Sequence, residues 1–369
     1  MNKRVTFITP LVPGSTGNGL SMRAGVWLEC LAQDFDVDVV VIPIYPADPS
    51  APDFVRRLAG TVSVFECSRG QVSGTVVLNE ADQGRIEQLV QHSSLVVFFR
   101  LAISEIVRSP TFPSTPRILD LDDADWVREE RLGKQLLSQE LSTLTSVVSS
   151  SCDVVTFAEP PETISDVHDV VNSHIVHVPN ISRGPSSPVS PARQPSTDLI
   201  FVGSLGYAPN EQGILWFISE VMPLLTEARL TIVGTFPSQQ LRALESEKIR
   251  IAAHVPEVDS WYESASVAIV PLFAGSGTRT KILEAWAHEL PVVSTTLGIE
   301  GIEDTRGALI ADTASEFARA CHRLLVDKVL AKNIAAAGYE TWSHRYSLSH
   351  ARHHISLAVE KALELGNTR

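Results

Sequence analysis

Residues 182–197 divide the chain: Pro185, Pro188, Pro191 and Pro195 stand among serines there. Each proline fixes its own φ and removes a backbone donor, so such a stretch belongs neither to a helix interior nor to a sheet ladder. The same alternation of segments runs on both sides of it. Before it, apolar runs at 5–9, 36–44, 62–65, 95–99, 117–121, 153–157 and 174–178 read as strands, with helical spacing at 21–33 and 128–149. After it, strands at 198–202, 230–233, 249–252 and 267–271 alternate with helices at 210–225, 241–247 and 258–264. Continuous apolar strands separated by helices predict parallel sheets covered on both faces. The expected fold is therefore α/β, with two doubly wound Rossmann-like domains facing a cleft. Their expected extents are 1–182 and 198–348, with a linker at 183–197 and a last helix in 349–369 that packs back on the first domain.

Size and charge narrow the partners. The 369 residues suffice for two domains, and a formal net charge of −13 disfavours a general polyanion binder while leaving room for a local basic pocket. Cys30, Cys67, Cys152 and Cys321 form neither a CxxC pair nor a zinc spacing, which fits buried thiols in a reducing cytoplasm. The apolar run near the start is short and is interrupted by Pro10 and Pro13, unlike a signal peptide. No apolar run approaches the roughly 20 residues of a membrane span. A cytoplasmic protein is expected, with peripheral contact at the inner face of a membrane left open.

Chemistry concentrates at 271–296. Pro271 to Trp286 reads as strand end, glycine-bearing turn and helix, and Pro291-Val292-Val293-Ser294-Thr295 as the next strand. The turn Gly275-Ser276-Gly277-Thr278 precedes Arg279 and Lys281. Backbone N–H groups at a helix N-terminus attract anions, and a cationic pair is misplaced there unless an anion is near. Glu284, about one helical turn further on, is suited to accept hydrogen bonds from a sugar diol. Phosphate grip and diol grip together define a nucleotide-sugar site; the alternative is a plain turn with two solvated charges.

The order of motifs resembles the GT-B-fold glycosyltransferases, in particular glycosyltransferase family 4. The resemblance is carried by Phe201-Val202-Gly203-Ser204, Leu230-Thr231-Ile232-Val233-Gly234, His254-Val255-Pro256-Glu257-Val258, the Gly275 to Glu284 segment, and Pro291 to Thr295 followed by Gly298, Glu300 and Gly301. Val178-Pro179-Asn180-Ile181 resembles the strand end before the family's linker. The resemblance implies a GT-B architecture and sugar transfer from a nucleotide sugar, UDP- or GDP-linked, with retention of anomeric configuration and no metal or further cofactor. It implies donor contacts at Gly203, Ser204, Val255, Gly275, Ser276, Gly277, Thr278, Arg279, Lys281 and Glu284, with Arg279 and Lys281 stabilising the leaving diphosphate. Two departures stand out. The family's Glu-x7-Glu pattern keeps its second glutamate at Glu284, but Ser276 occupies the place of the first. Tyr207-Ala208-Pro209-Asn210 lacks the basic residue that many members carry in that region. The chain resembles a subgroup with a Gly-Thr-Arg-x-Lys turn, in which Arg279 and Lys281 supply the missing cations.

Several other residues carry competing readings. Gly17-Asn18-Gly19 follows the first strand; it brings amides to the donor or acceptor, or simply turns the chain. Arg100, at a strand end, is a catalytic contact or a salt-bridged arginine. Asp120, Asp122, Asp123 and Asp125 cluster after another strand. A metal role suits this architecture poorly, whereas contact with acceptor hydroxyls, an acceptor base at Asp122, or pairing with Arg128 and Arg131 all fit. His174, His177, His353 and His354 lack supporting ligand spacing, and Trp216, Trp261 and Trp286 read as helix core. Ser204 and Ser276 lack a nucleophile elbow. The expected activity is glycosyl transfer to a glycan, glycolipid or small natural product, with no nucleic-acid partner. A catalytically silent nucleotide-sugar-binding module and a nucleotide-sugar epimerase on the same fold are the alternatives.

Overall fold

Runs of Val, Ile, Leu and Phe with no polar alternation form strands that are buried on both faces. Leu95–Phe99 is the clearest case, with all five residues buried. The computed structural model describes residues 3–16, 19–44, 52–72, 74–109, 114–185, 198–255, 257–274, 279–366 and 368. The chain divides into two compact units, Met1–Asn180 with Ala351–Arg369, and Ile181–His350.

The strands of the first unit are β1 (Arg4–Thr9), β2 (Asp36–Val41), β3 (Thr61–Val64), a small antiparallel pair β4 (Ser68–Arg69) and β5 (Val76–Val77), then β6 (Leu95–Phe99), β7 (Arg117–Asp122), β8 (Val154–Phe157) and β9 (His174–His177). The main sheet is parallel throughout, in the order β3-β2-β1-β6-β7-β8-β9. The strand order reverses between β1 and β6, the kind of switch point beside which ligands bind in open α/β sheets.

The second unit repeats the plan with β10 (Asp198–Val202), β11 (Arg229–Gly234), β12 (Ile249–Ala253), β13 (Val267–Val270), β14 (Val292–Ser294) and β15 (Ala308–Ile310). This sheet is also parallel, in the order β12-β11-β10-β13-β14-β15. Its switch point lies between β10 and β13, so the Gly203-Ser204 loop and the segment entering the Thr280–Ala287 helix leave neighbouring strand ends.

The Thr280–Ala287 helix turns Ile282, Leu283, Ala285, Trp286 and Ala287 into the core. Trp286 fixes its position. The indole is fully buried and its Nε1 donates to Gly307 O at 2.9 Å. Gly307 and Gly338 make room for the ring: a Cβ at Gly338 would stand 2.4 Å from Trp286 Cδ1.

Three expected helices differ in form. The 241–247 stretch is helical only at its start, in Gln239–Arg242. The 128–149 stretch is two helices, Asp125–Arg131 and Gln135–Ser149, because Gly133 takes φ 73° and ends the first one. The 210–225 stretch is helical over Ala208–Trp216, widens through Phe217–Val221 and tightens at Met222–Leu224, where Pro223 cannot continue an α-helix. The final helix runs Leu348–Gly366, and its residues from Ala351 belong to the first unit. Among the described residues no helix is long and apolar enough to cross a membrane.

Candidate functional site

The second unit gathers Arg279 just before the Thr280–Ala287 helix, Lys281 on its first turn and Glu284 at the start of its second. Lys281 reaches away from its own helix. Its Nζ donates to Asn210 Oδ1 at 2.5 Å and lies 4.5 Å from the centroid of the Phe201 ring, a cation–π contact. Asn210 Nδ2 donates to Ser204 O at 2.8 Å, which ties the ammonium to the loop after β10. The segment Tyr207 to Asn210 has no cation of its own, and Lys281 brings one to it. Burial pushes the Lys281 ammonium down to about 7, Arg279 adds to the fall, and Glu284 opposes it. Arg279 is buried, and its Nη2 donates to Leu297 O at 3.2 Å.

Glu284 sits in a cage. Tyr262 Oη donates to Glu284 Oε2 at 3.0 Å. His288 stacks on Tyr262 with ring centroids 4.8 Å apart, and its two ring nitrogens lie 2.7 Å from Glu284 O and 3.1 Å from Asp259 Oδ1. Burial raises the Glu284 carboxyl to about 6, against the Tyr262 hydrogen bond and the Lys281 charge, which hold it down. Burial, with Glu284 beside it, pushes the Tyr262 phenol well above its ordinary value.

The first unit holds Arg100 and Asp122 together at the ends of β6 and β7. Both adopt positive φ, 71° and 64°. The register of β7 against β8 shifts between Asp120, which pairs with Thr156, and Asp122, which pairs with Phe157, so Leu121 is skipped. Arg100 Nη2 donates to Asp125 Oδ1 and Oδ2 at 2.8 and 3.0 Å, Nη1 donates to Leu121 O, and Asp122 Oδ2 is 3.7 Å away. Of the two readings of Arg100, the salt-bridged one describes its contacts. Burial works against its charge, but Asp125, Asp122 and Asp123 outweigh it and raise its pKa. Asp122 Oδ1 accepts from Asn180 Nδ2 at 2.9 Å and lies 3.5 Å from Arg23 Nε. Asp120 is fully buried against Arg23, with contacts of 2.8 and 2.6 Å, and accepts from Thr156 Oγ1 at 2.5 Å. Arg128 pairs with Asp125 at 2.7 Å. Burial beside Asp122 raises Asp123 to about 7.

Gly17, Asn18 and Gly275, Ser276, Gly277 and Thr278 lie outside the described residues, while Gly19 opens the Gly19–Leu31 helix. Gly203, Ser204 and Val255 fall just past the strand ends of β10 and β12. Arg23, Asn210, Tyr262 and His288 escaped the sequence reading, since their side-chain partners Asp120, Lys281, Glu284 and Asp259 lie 22 to 97 residues away in the chain. His354 Nδ1 lies 2.8 Å from His177 O, and Trp286 is core. Among the described residues no three or more His, Cys, Asp or Glu are grouped to hold a metal ion.

The fold is the mixed α/β, parallel-sheet architecture of GT-B glycosyltransferase structures. A sucrose-phosphate synthase from Thermosynechococcus elongatus superposes with a TM-score of 0.70 at 14% identity, covering 98% of this chain and 99% of that one. HepE from Anabaena, solved with UDP and glucose, gives 0.69 at 12% identity over 97% and 99%. An α,α-trehalose 6-phosphate synthase from Burkholderia multivorans gives 0.65 at 13% identity over 100% and 98%. Residues 196–327, inside the second unit, match the family model described as glycosyl transferases group 1. A curated relative, an uncharacterized 44.6 kDa protein in the cps region of Klebsiella pneumoniae, is 28% identical over 138 residues. That match spans 34% of this chain and 36% of the relative.

Proposed function

We propose that the protein transfers a sugar from a nucleotide-sugar donor to a hydroxyl acceptor, with retention at the anomeric carbon. The observation that carries this reading is the juxtaposition at the β10/β13 switch point. There a half-buried ammonium, a buried guanidinium and a caged carboxylate stand between Arg279 and Glu284 at one helix start. Departure of a nucleoside diphosphate builds charge on the leaving phosphate. Lys281 and Arg279 would meet that charge where water is scarce, and groups held in place before the reaction act most strongly there. Lys281 at about 7 is poised to take up a proton as the diphosphate arrives. Glu284, oriented by Tyr262, accepts the ribose diol and sets the donor's register. No metal enters this scheme. In the first unit, Asp122 and its neighbour Asp123 are the carboxyl groups offered to an acceptor hydroxyl, and Arg100 holds their loop by its bonds to Asp125 and Leu121.

The test is a panel of UDP- and GDP-sugars, first by thermal shift and then by release of nucleoside diphosphate with and without sugar acceptors. A ligand at 100 times its dissociation constant adds about 2.7 kcal/mol of stability, so a true donor stands out. Stabilisation by one nucleotide sugar together with acceptor-dependent release supports transfer. Binding without turnover would reduce the protein to a nucleotide-sugar-binding module, and no response to any donor would overturn the reading.

A further inference from the structure

Phe236 is 69% exposed and takes φ 57° just after β11. His254, also exposed, takes φ 56° just after the neighbouring β12. A bulky L-residue in the left-handed region is strained, and glycine is the residue that turns a chain there without cost. Phe236 therefore neither fills the core nor suits its own backbone. Strain of this kind persists only where the surrounding structure holds it, and it gathers at ligand sites. The rings of Phe236 and His254 pair edge to face, 5.1 Å apart at 87°, so each fixes the other while Phe236 stays open to solvent.

Their position matters as much as their strain. Leu205 N donates to Thr235 O at 2.8 Å, and a Cβ at Gly206 would stand 3.3 Å from Phe236 Cβ, so Phe236 flanks the loop after β10. The same loop gives Ser204 O to Asn210, which holds the Lys281 ammonium. One loop thus links a cation at one end to two exposed rings at the other. A nucleoside diphosphate has the matching polarity, an anionic end and a flat aromatic end.

We propose that Phe236, braced by His254, is the platform on which the nucleobase of the donor stacks. The inference rests on the nucleotide-sugar reading of the site and adds the element that holds the base. Stacking recognises the π-face that every base has, so Phe236 supplies affinity shared by uracil and guanine rather than a choice between them.

Titration calorimetry of the full chain with UDP, GDP and inorganic pyrophosphate tests it. Phe236→Ala is expected to weaken both nucleotides roughly tenfold or more and leave pyrophosphate unchanged. Phe236→Tyr keeps wild-type affinity. Phe236→Gly raises the melting temperature, because the strain is relieved, and loses nucleotide affinity as the alanine variant does. Phe236→Ala binding UDP and GDP like the wild type, or losing pyrophosphate equally, overturns the proposal. A wild type that binds nucleotides no better than pyrophosphate overturns the platform and leaves the anion site standing. A wild type that binds none of the three overturns both.

Discussion

Replacing Lys281 by Met should move activity and stability in opposite directions. The substitution keeps the length of the side chain over the Phe201 ring and removes the charge that Asn210 holds. One lost preorganised contact on a leaving phosphate costs on the order of 10²–10³ in turnover. Stability responds through linkage. The unfolded chain keeps the lysine proton up to its ordinary value, whereas the fold releases it near 7. Between about 7 and that ordinary value the unfolded state binds more protons, so this group's contribution to stability rises with pH; below 7 its penalty is fully present. Lys281→Met should therefore melt at a higher temperature than the wild type, with the larger gain at pH 6 than at pH 9. Nucleotide affinity carries a third signature. With the free ammonium at about 7, its protonated fraction falls from one half at pH 7 to about one hundredth at pH 9. A diphosphate that requires the proton then binds roughly fiftyfold more weakly at pH 9. Titration calorimetry with UDP or GDP, in buffers of different ionisation enthalpy, reads both the affinity and the proton taken up. Affinity flat from pH 7 to pH 9, or normal turnover by Lys281→Met, would show that the Lys281 ammonium does not hold the diphosphate.

Glu284 sets the acid side: donor affinity should fall as pH drops through about 6, where the carboxylate takes a proton. Tyr262→Phe removes a bond that favours the ionised form and should move that limb up by roughly one pH unit, while Glu284→Gln abolishes it; coincident wild-type and Tyr262→Phe profiles would contradict the cage. Arg23→Met strands the buried Asp120 and should destabilise the protein by about 3–5 kcal/mol in urea titration, whereas Arg23→Met with Asp120→Leu should recover most of the loss. Gly338→Ala drives a methyl into Trp286 and should cost about 1–3 kcal/mol, seen as a lower melting temperature.

Strand positions were legible because a strand buried on both faces leaves a run of apolar residues, as in Leu95–Phe99 and Val267–Val270. Helix ends were less legible. The 128–149 spacing looks continuous, and only Gly133 hints at the break. Arg279, Lys281 and Glu284 could be proposed together from the sequence because they fall within six residues of one another. Their environment could not. Asn210 stands 71 residues from Lys281, and Tyr262 stands 22 from Glu284, so only the tertiary fold joins them. The segment near Asn210 carries no cation of its own, and Lys281 of another helix reaches Asn210 Oδ1. Arg100 keeps two readings in the sequence because its partner Asp125 lies 25 residues away.

A crystal structure of the full chain with UDP or GDP bound would locate the diphosphate outright. Both phosphates are expected within hydrogen-bond reach of Lys281 Nζ and the Arg279 guanidinium, with the ribose diol on Glu284. Phosphates seated elsewhere, with Lys281 still held on Asn210 and nothing beside it, would contradict that placement.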